Sequence, residues 1–445
     1  MTFVISTAAP VTFADPLPAA TDVVVIGGGI AGVMSAYYLA RAGRRVVLCE
    51  KGRIAAEQSS RNWGWIRQQG RDPAELPIVT EALRLWEELA AQLGPELGFT
   101  RCGVSYVSAK PAAEEGYAKW VRLAADHGVE SRLMSRADCA ALAPGANWAC
   151  GVVTPSDARA EPFVAVPMLA RLAQAAGVTI VENCAVRGLE IAGGALTGVI
   201  TEKGPVRAEQ VLLAGGAWSS LFARRHGISL PQLMVRSTVG QTVPMPEMTG
   251  PSGADDIFAW RRRLDGGYTI APGTWHDFYI GPDAFRHFVK YIPQMRRDLT
   301  KTEMHPRAPA PGWPDGWRTP RDWAFDAQSP FEALRVLDPE PNRLRLAEAG
   351  QAFGRAFPRL GPPKLARAWA GMIDVMPDTV PVLDESPIKG LWIATGLSGH
   401  GFGIGPGVGR VMADLMCARP AGHDMTRFRF GRFSDGSKMD LGPTF

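Results

Sequence analysis

Gly27, Gly29 and Gly32 are spaced as Gly-x-Gly-x-x-Gly directly behind the apolar run Asp22–Ile26. That spacing does one kind of chemistry. Gly27 permits a tight turn, Gly29 lets the backbone approach a pyrophosphate, and Gly32 lets the following helix pack close to the strand. The helix starting at Ile30 and Ala31 then offers free N–H groups and a partial positive charge to the anion. Glu50 closes the next apolar run, Arg45–Cys49, where a carboxylate can accept hydrogen bonds from ribose hydroxyls and repel a 2′-phosphate. Strand, glycine turn, helix and acidic strand end agree, so the chain is expected to bind a dinucleotide other than NADP.

This motif does not separate FAD from NAD. A second glycine run does: Gly396–Leu397–Ser398–Gly399–His400–Gly401–Phe402–Gly403–Ile404–Gly405 follows the buried strand Leu391–Ala394 and precedes a helix expected over Gly407–Met416. A second helix N-terminus aimed at one cofactor suits a flavin, because reduced flavin carries negative charge near N1 and the C2 carbonyl.

The elements that must position these loops alternate in type. A βαβ start covers residues 22–50, helices are expected over Ala82–Leu93 and Pro162–Ala176, and short strands over Val178–Val181, Val186–Ile191, Leu196–Thr201 and Val211–Leu213. Ile257–Ala271 reads as two strands folded at Asp265–Gly266–Gly267, and residues 272–330, rich in Pro and Trp, as irregular. The expected fold class is α/β plus β: a Rossmann-type FAD-binding domain with a discontinuous, mainly antiparallel β-sheet substrate domain. The expected division is an arm over 1–20, the FAD-binding domain over 21–84, 150–235 and 366–430, the substrate domain over 85–149 and 236–365, and a tail over 431–445.

The chain has 445 residues and a net charge of +4, from 48 basic and 44 acidic residues. This balance gives no reason to expect nucleic acid or an anionic membrane as partner. Residues 1–20 hold no Lys or Arg and three prolines, which reads as an arm and not a signal peptide. No uncharged apolar run is long enough to span a bilayer. The six cysteines are scattered, without CxxC or a Cys/His cluster, so a zinc site or disulfide framework is not expected and a reducing cytoplasm is.

The chain resembles the D-amino acid oxidase superfamily, in the branch with glycine oxidase, sarcosine oxidase and D-amino acid dehydrogenase. The resemblance runs from about Asp22 to Met416. It is carried by Trp369–Ala370–Gly371, Pro377–Asp378, Pro381–Val382, Gly390–Leu391–Trp392 and the second glycine run, and less specifically by Leu213–Ala214–Gly215–Gly216–Ala217–Trp218 and Val235–Gln241. It implies FAD, a substrate on one face of the flavin, and hydride transfer from carbon to flavin N5. The cofactor residues expected on this basis are Gly27, Gly29, Ile30, Ala31, Gly32, Glu50, Lys51, Ser59, Ser60, Arg61, Asn62, Trp63, Gly64, Trp65, Val186, Ala214, Gly215, Gly216, Trp218, Gly371, Gly399, His400, Gly401, Phe402 and Gly403.

Three departures from the family matter. Gly371 stands where some members attach flavin through cysteine, and Ser59–Gly64 lacks the histidine others use, so the FAD is expected to be non-covalent. Ile373 stands where glycine oxidase-like members carry a carboxylate-binding arginine, with Asp374 beside it. Residues 257–276 hold no lysine of the kind that activates oxygen, which leaves oxygen or another electron acceptor open.

Substrate-site candidates are Arg67, as a bidentate carboxylate clamp; His400, near the flavin edge; Asp374, as partner for a cationic group; and Tyr268, with Trp260, Trp275 and His276, as an aromatic pocket for an amine. Arg261, Arg262 and Arg263 alternate across a strand, so at least one is expected on a solvated face. Glu161 is expected to start a helix and nothing more. The expected function is FAD-dependent oxidation of a C–N bond in a small amine or amino acid, giving an imine that hydrolyses. A 2-hydroxy acid dehydrogenase, and an FAD-binding subunit of a multi-subunit sarcosine-type oxidase, are the other readings. Self-association into a homo-oligomer is compatible with all three.

Overall fold

The computed structural model describes residues 4–248, 250–297 and 301–443. Val23–Ile26 lies in a six-stranded sheet, hydrogen-bonded in parallel to Val46–Cys49 on one side and Gln210–Leu213 on the other. Thr179–Val181 and Leu391–Thr395 extend the sheet in parallel, and Val382–Glu385 closes one edge antiparallel. The central strands are almost entirely apolar and largely buried on both faces, as strands covered by helices must be. Helices Ile30–Arg41, Pro162–Ala175 and Gly401–Met416 share one core with this sheet.

A ten-stranded sheet, largely antiparallel, forms the second layer system. Its spine is Leu233–Thr242, paired along its length with Leu365–Val375. Helix Arg343–Ala356 packs Phe353 against Phe258 and Tyr268 of this sheet. Two segments expected with the cofactor-binding part join it instead: Cys150–Thr154 pairs with Val104–Ser108, and Leu365–Val375 is the spine's partner. Residues 272–330 also depart from expectation. They contain strands His276–Tyr279 and Thr302–His305 and helices Pro282–Arg286 and Phe288–Arg297. The strands are only four residues long each, too short for a periodicity to show.

The late helix begins at Gly401, six residues before the expected Gly407, and so takes in most of the glycine run and Pro406. Glycine is a poor helix former, costing roughly 1 kcal/mol against alanine, yet packing overrides that preference here. A Cβ at Gly405 would lie 2.5 Å from the Ile30 side chain, and one at Gly409 2.5 Å from the Met34 backbone. The missing side chains let this helix press against Ile30–Arg41. Among the described residues, no helix is long and apolar enough to cross a membrane.

Candidate functional site

Both glycine loops open on one cavity of about 570 Å³. Gly27 has φ +110°, and a Cβ there would lie 2.5 Å from the Ala214 carbonyl oxygen. A Cβ at Gly32 would lie 2.0 Å from the Gly27 carbonyl oxygen, so Gly32 brings helix to strand and does not face the cavity. Gly29, Ile30 and Ala31 do line it. Ser59 helps set the helix entrance, its hydroxyl accepting from the Ile30 N–H at 2.9 Å. Glu50 lines the same wall and accepts from the Gly28 and Gly52 amides, each at 2.7 Å. Burial raises its carboxyl to about 7.

Lys51, Arg61, Asn62, Trp63, Trp65, Val186, Ala214, Gly215, Gly216, Trp218, Gly371, Gly399, His400, Gly401, Phe402 and Gly403 also line the cavity. Some are committed elsewhere. Lys51 sits 4.2 Å over the Trp218 ring and donates to Glu57 and two backbone carbonyls. Arg61 pairs with Asp338 and donates to the Ala370 carbonyl. Besides Gly32, two expected residues are not on the wall. Ser60 is buried in the short helix Gln58–Arg61, and Gly64 packs beneath it, where a Cβ would lie 2.4 Å from the Ala160 carbonyl.

The substrate candidates divide. Arg67 lines the cavity with its guanidinium 5.2 Å from the Tyr106 ring and 5.8 Å from that of Trp65, its Nη1 donating to the Gln69 carbonyl. His400 caps the late helix by position, and its Nδ1–H donates to Glu75 at 3.4 Å, leaving Nε2 an acceptor. Burial, with the charge of Arg71, pulls this imidazole down to about 4, so it is neutral at pH 7.

Tyr268 is corrected: it is 1% exposed in the core under helix Arg343–Ala356, its hydroxyl donating to Pro246 and accepting from Met248, away from the cavity. Trp260 lies in that same core and Trp275 under Arg345, so of the expected aromatic group only His276 reaches the wall. The aromatic rings that do face Arg67 are Trp65 and Tyr106, and Tyr106 comes from a strand with no distinguishing motif. Asp374 lines the cavity, but its Oδ2 accepts from Gln232 and from the Gly396 amide, each at 2.8 Å. Through Oδ2 it holds the second glycine loop in shape. Next along that loop, Ser398 sits at φ +47°, a strained position on the cavity wall.

Arg261 and Arg263 are buried, while Arg262, on the other face of the strand, is half-buried and donates to the Met245 and Pro246 carbonyls. Arg261 is buried against Glu161 at 2.8 Å, which makes Glu161 a counter-ion and not merely a helix start. The loop carrying Arg67 is held by buried Asp157, which accepts from the Gln68 amide at 2.7 Å and, more weakly, from Gln69 at 3.4 Å. Lys301, outside the segment searched for a lysine, also lines the cavity.

A dinucleotide-flavin fits these residues. Glycines clear one wall, backbone N–H groups of two helix starts face the same space, and a carboxylate closes one end. The family model described as "DAO: FAD dependent oxidoreductase" matches residues 22–415. The chain is similar to the D-amino acid dehydrogenase of Paramagnetospirillum magneticum, 26% identical over 93% of this chain and 99% of that one. It is similar to the sarcosine oxidase subunit beta of Rhizobium meliloti, 26% identical over 96% and 91% of the two chains. Among solved structures, L-amino acid deaminase from Proteus myxofaciens in complex with anthranilate matches with a TM-score of 0.89 and 28% identity, over 96% of this chain and 97% of that one. With the matched family model spanning both glycine loops and the spine of the large sheet, the chain belongs to the family of FAD-dependent oxidoreductases and is an enzyme.

Proposed function

We propose that the substrate is a small amino acid with a free carboxylate, oxidised at the carbon bearing nitrogen. The observation that carries this is Arg67, a guanidinium set among Trp65 and Tyr106 on the wall that also holds His400. The similar deaminase binds anthranilate, an aromatic amino carboxylate, which agrees with a carboxylate held beside aromatic rings. In this reading the Rossmann-type half holds FAD non-covalently: Glu50 at the adenosine ribose, Gly29–Ala31 at the pyrophosphate, and Gly399–Gly403 at the flavin's negative edge. FAD held there would supply the hydride acceptor. The chain's own residues do the rest. Arg67 fixes the carboxylate and so orients the C–H bond. Neutral His400 offers Nε2 to an N–H, and the apolar walls exclude water. Loss of a hydride from carbon and a proton from nitrogen leaves an imine, which water hydrolyses to a carbonyl compound and ammonia or an amine.

An anaerobic screen of amino acids, matching amines and 2-hydroxy acids, followed by loss of flavin absorbance, tests the reading. Bleaching by hydroxy acids alone would overturn it. Oxygen or another carrier as acceptor, and a homo-oligomer, belong to the same proposal; reoxidation in air and sedimentation measure them. So does a cytoplasmic location, in keeping with six cysteines that form no disulfide.

Two outcomes are expected here. Acid or heat denaturation releases FAD, not FMN, because Gly371 offers no thiol and Asn62 no imidazole; flavin left on the polypeptide contradicts this. Arg67→Lys keeps its flavin but loses roughly tenfold or more in kcat/KM on a carboxylate substrate, since lysine lacks the planar two-donor fork. The matching simple amine changes little. Equal losses on both would place Arg67 with the cofactor or the fold.

A further inference from the structure

Five arginines are buried among the described residues: Arg61, Arg71, Arg261, Arg263 and Arg432. Four have a carboxylate. Arg61 pairs with Asp338, Arg261 with Glu161 at 2.8 Å, Arg263 with Asp265 at 3.1 Å, and Arg432 with Asp378 at 2.8 Å. Arg71 is the exception. It is 4% exposed, it lines the cavity, and its guanidinium makes no hydrogen bond or ion pair with any described residue; its Nε is buried without an acceptor.

The two nearby carboxylates, Glu75 and Asp157, attract it but do not hydrogen-bond to it. Asp157 is taken up by the Gln68 and Gln69 amides, and Glu75 by His400. Burial, with repulsion from Arg67, pulls Arg71 down to about 9, which still leaves it cationic at neutral pH. A mostly buried guanidinium without a hydrogen-bonding acceptor is costly to a fold. An anion entering the cavity would find this guanidinium with no protein acceptor in its way.

We propose that Arg71 is the carboxylate anchor of the substrate site, with Arg67 as the second contact, so that the substrate class is an amino acid whose carboxylate is required for binding. This rests on the amino-acid reading above. Arg67 is already engaged, by the Gln69 carbonyl and two aromatic rings, and is suited to orienting. Arg71 has its whole hydrogen-bonding fork to give, and a two-donor fork matches a carboxylate.

The experiment uses the FAD-loaded enzyme and the variants Arg71→Met and Arg71→Lys. The first readout is titration with acetate and benzoate, carboxylates without an oxidisable amine, followed by perturbation of the flavin spectrum. The second is anaerobic flavin bleaching by an amino acid and its decarboxylated amine. The third is thermal melting without ligand. Arg71→Met is expected to retain flavin and to weaken carboxylate binding about a hundredfold. It should raise KM for the amino acid while leaving the amine unchanged, and melt no lower than the parent, because removing an unpaired buried charge relieves the free protein. Arg71→Lys should recover only part of the affinity. A lower melting temperature with unchanged acetate and benzoate affinity would assign Arg71 to the fold and overturn the proposal, as would an unchanged preference for the amino acid over the amine. If neither amino acid nor amine bleaches the parent enzyme, the amino-acid reading itself has failed, while the titration still decides whether Arg71 binds carboxylates.

Discussion

Gly29→Val is expected to give a folded, colourless protein. Gly29 has φ −74° and ψ 174°, which any residue adopts, so the substitution brings no backbone strain. A Cβ there would stand 3.2 Å from the Ser59 hydroxyl, the group that accepts from the Ile30 N–H. The two methyls of valine would then fill the space over the first turn of helix Ile30–Arg41. That is where a pyrophosphate must approach the backbone amides. The ratio of flavin to protein absorbance after purification should fall to near zero, with circular dichroism and elution volume unchanged. Normal flavin content would sink the assignment of Gly27–Gly32 to the pyrophosphate.

The second large effect concerns stability. Glu161→Ala should destabilise the fold by about 3–5 kcal/mol, because it leaves buried charge without its partner. Glu161 accepts two bonds from Arg261, at 2.8 and 3.1 Å, and one from the Leu264 amide at 2.8 Å, with Arg263 at 4.0 Å. Burial pushes its carboxyl up, but Arg261 and Arg263 outweigh burial and hold it below the usual value. A carboxyl with a depressed folded-state pKa contributes at neutral pH, and the contribution is lost as pH falls through the folded value. The melting temperature should therefore drop by roughly 3–5 °C at pH 7, and the gap between parent and variant should close in acid. Combining Glu161→Ala with Arg261→Met should restore part of the loss. A single-variant melting curve that overlays the parent's would show that this pair carries no net stability.

The first glycine loop was legible in sequence because each of its glycines answers a local demand. Turn, approach and packing all lie within six residues, Gly27 to Gly32, followed by an acid at a fixed offset. The second loop was legible as a ligand-facing element but misread as a turn. Its glycines serve a contact with helix Ile30–Arg41, hundreds of residues away, and local propensity carries no record of that. Tyr268 was misplaced for a related reason. An aromatic on an apolar strand packs equally well toward a core or a pocket, and only the position of helix Arg343–Ala356 decides. Arg71 could not be singled out because its meaning lies in what it lacks. Sequence shows an arginine four positions after Arg67, and only the arrangement of Asp157, Glu75 and His400 shows that none of them pairs with it. Asp157 and Tyr106 shape the same wall from segments without any pattern that marks them.

The seam between helices Ile30–Arg41 and Gly401–Met416 bears on how such a chain can drift. At Gly405 the obstacle is the Ile30 side chain, so a larger residue becomes admissible if position 30 shrinks in the same lineage, and the two sites can exchange bulk as a pair. At Gly409 the obstacle includes the main chain of Met34, at 2.5 Å, which no substitution removes. One position is thus open to compensated change and its neighbour one turn on is closed to it. Among descendants of this sequence, variation at 405 should therefore come coupled to variation at 30, while 409 stays fixed for as long as the two helices keep their present separation.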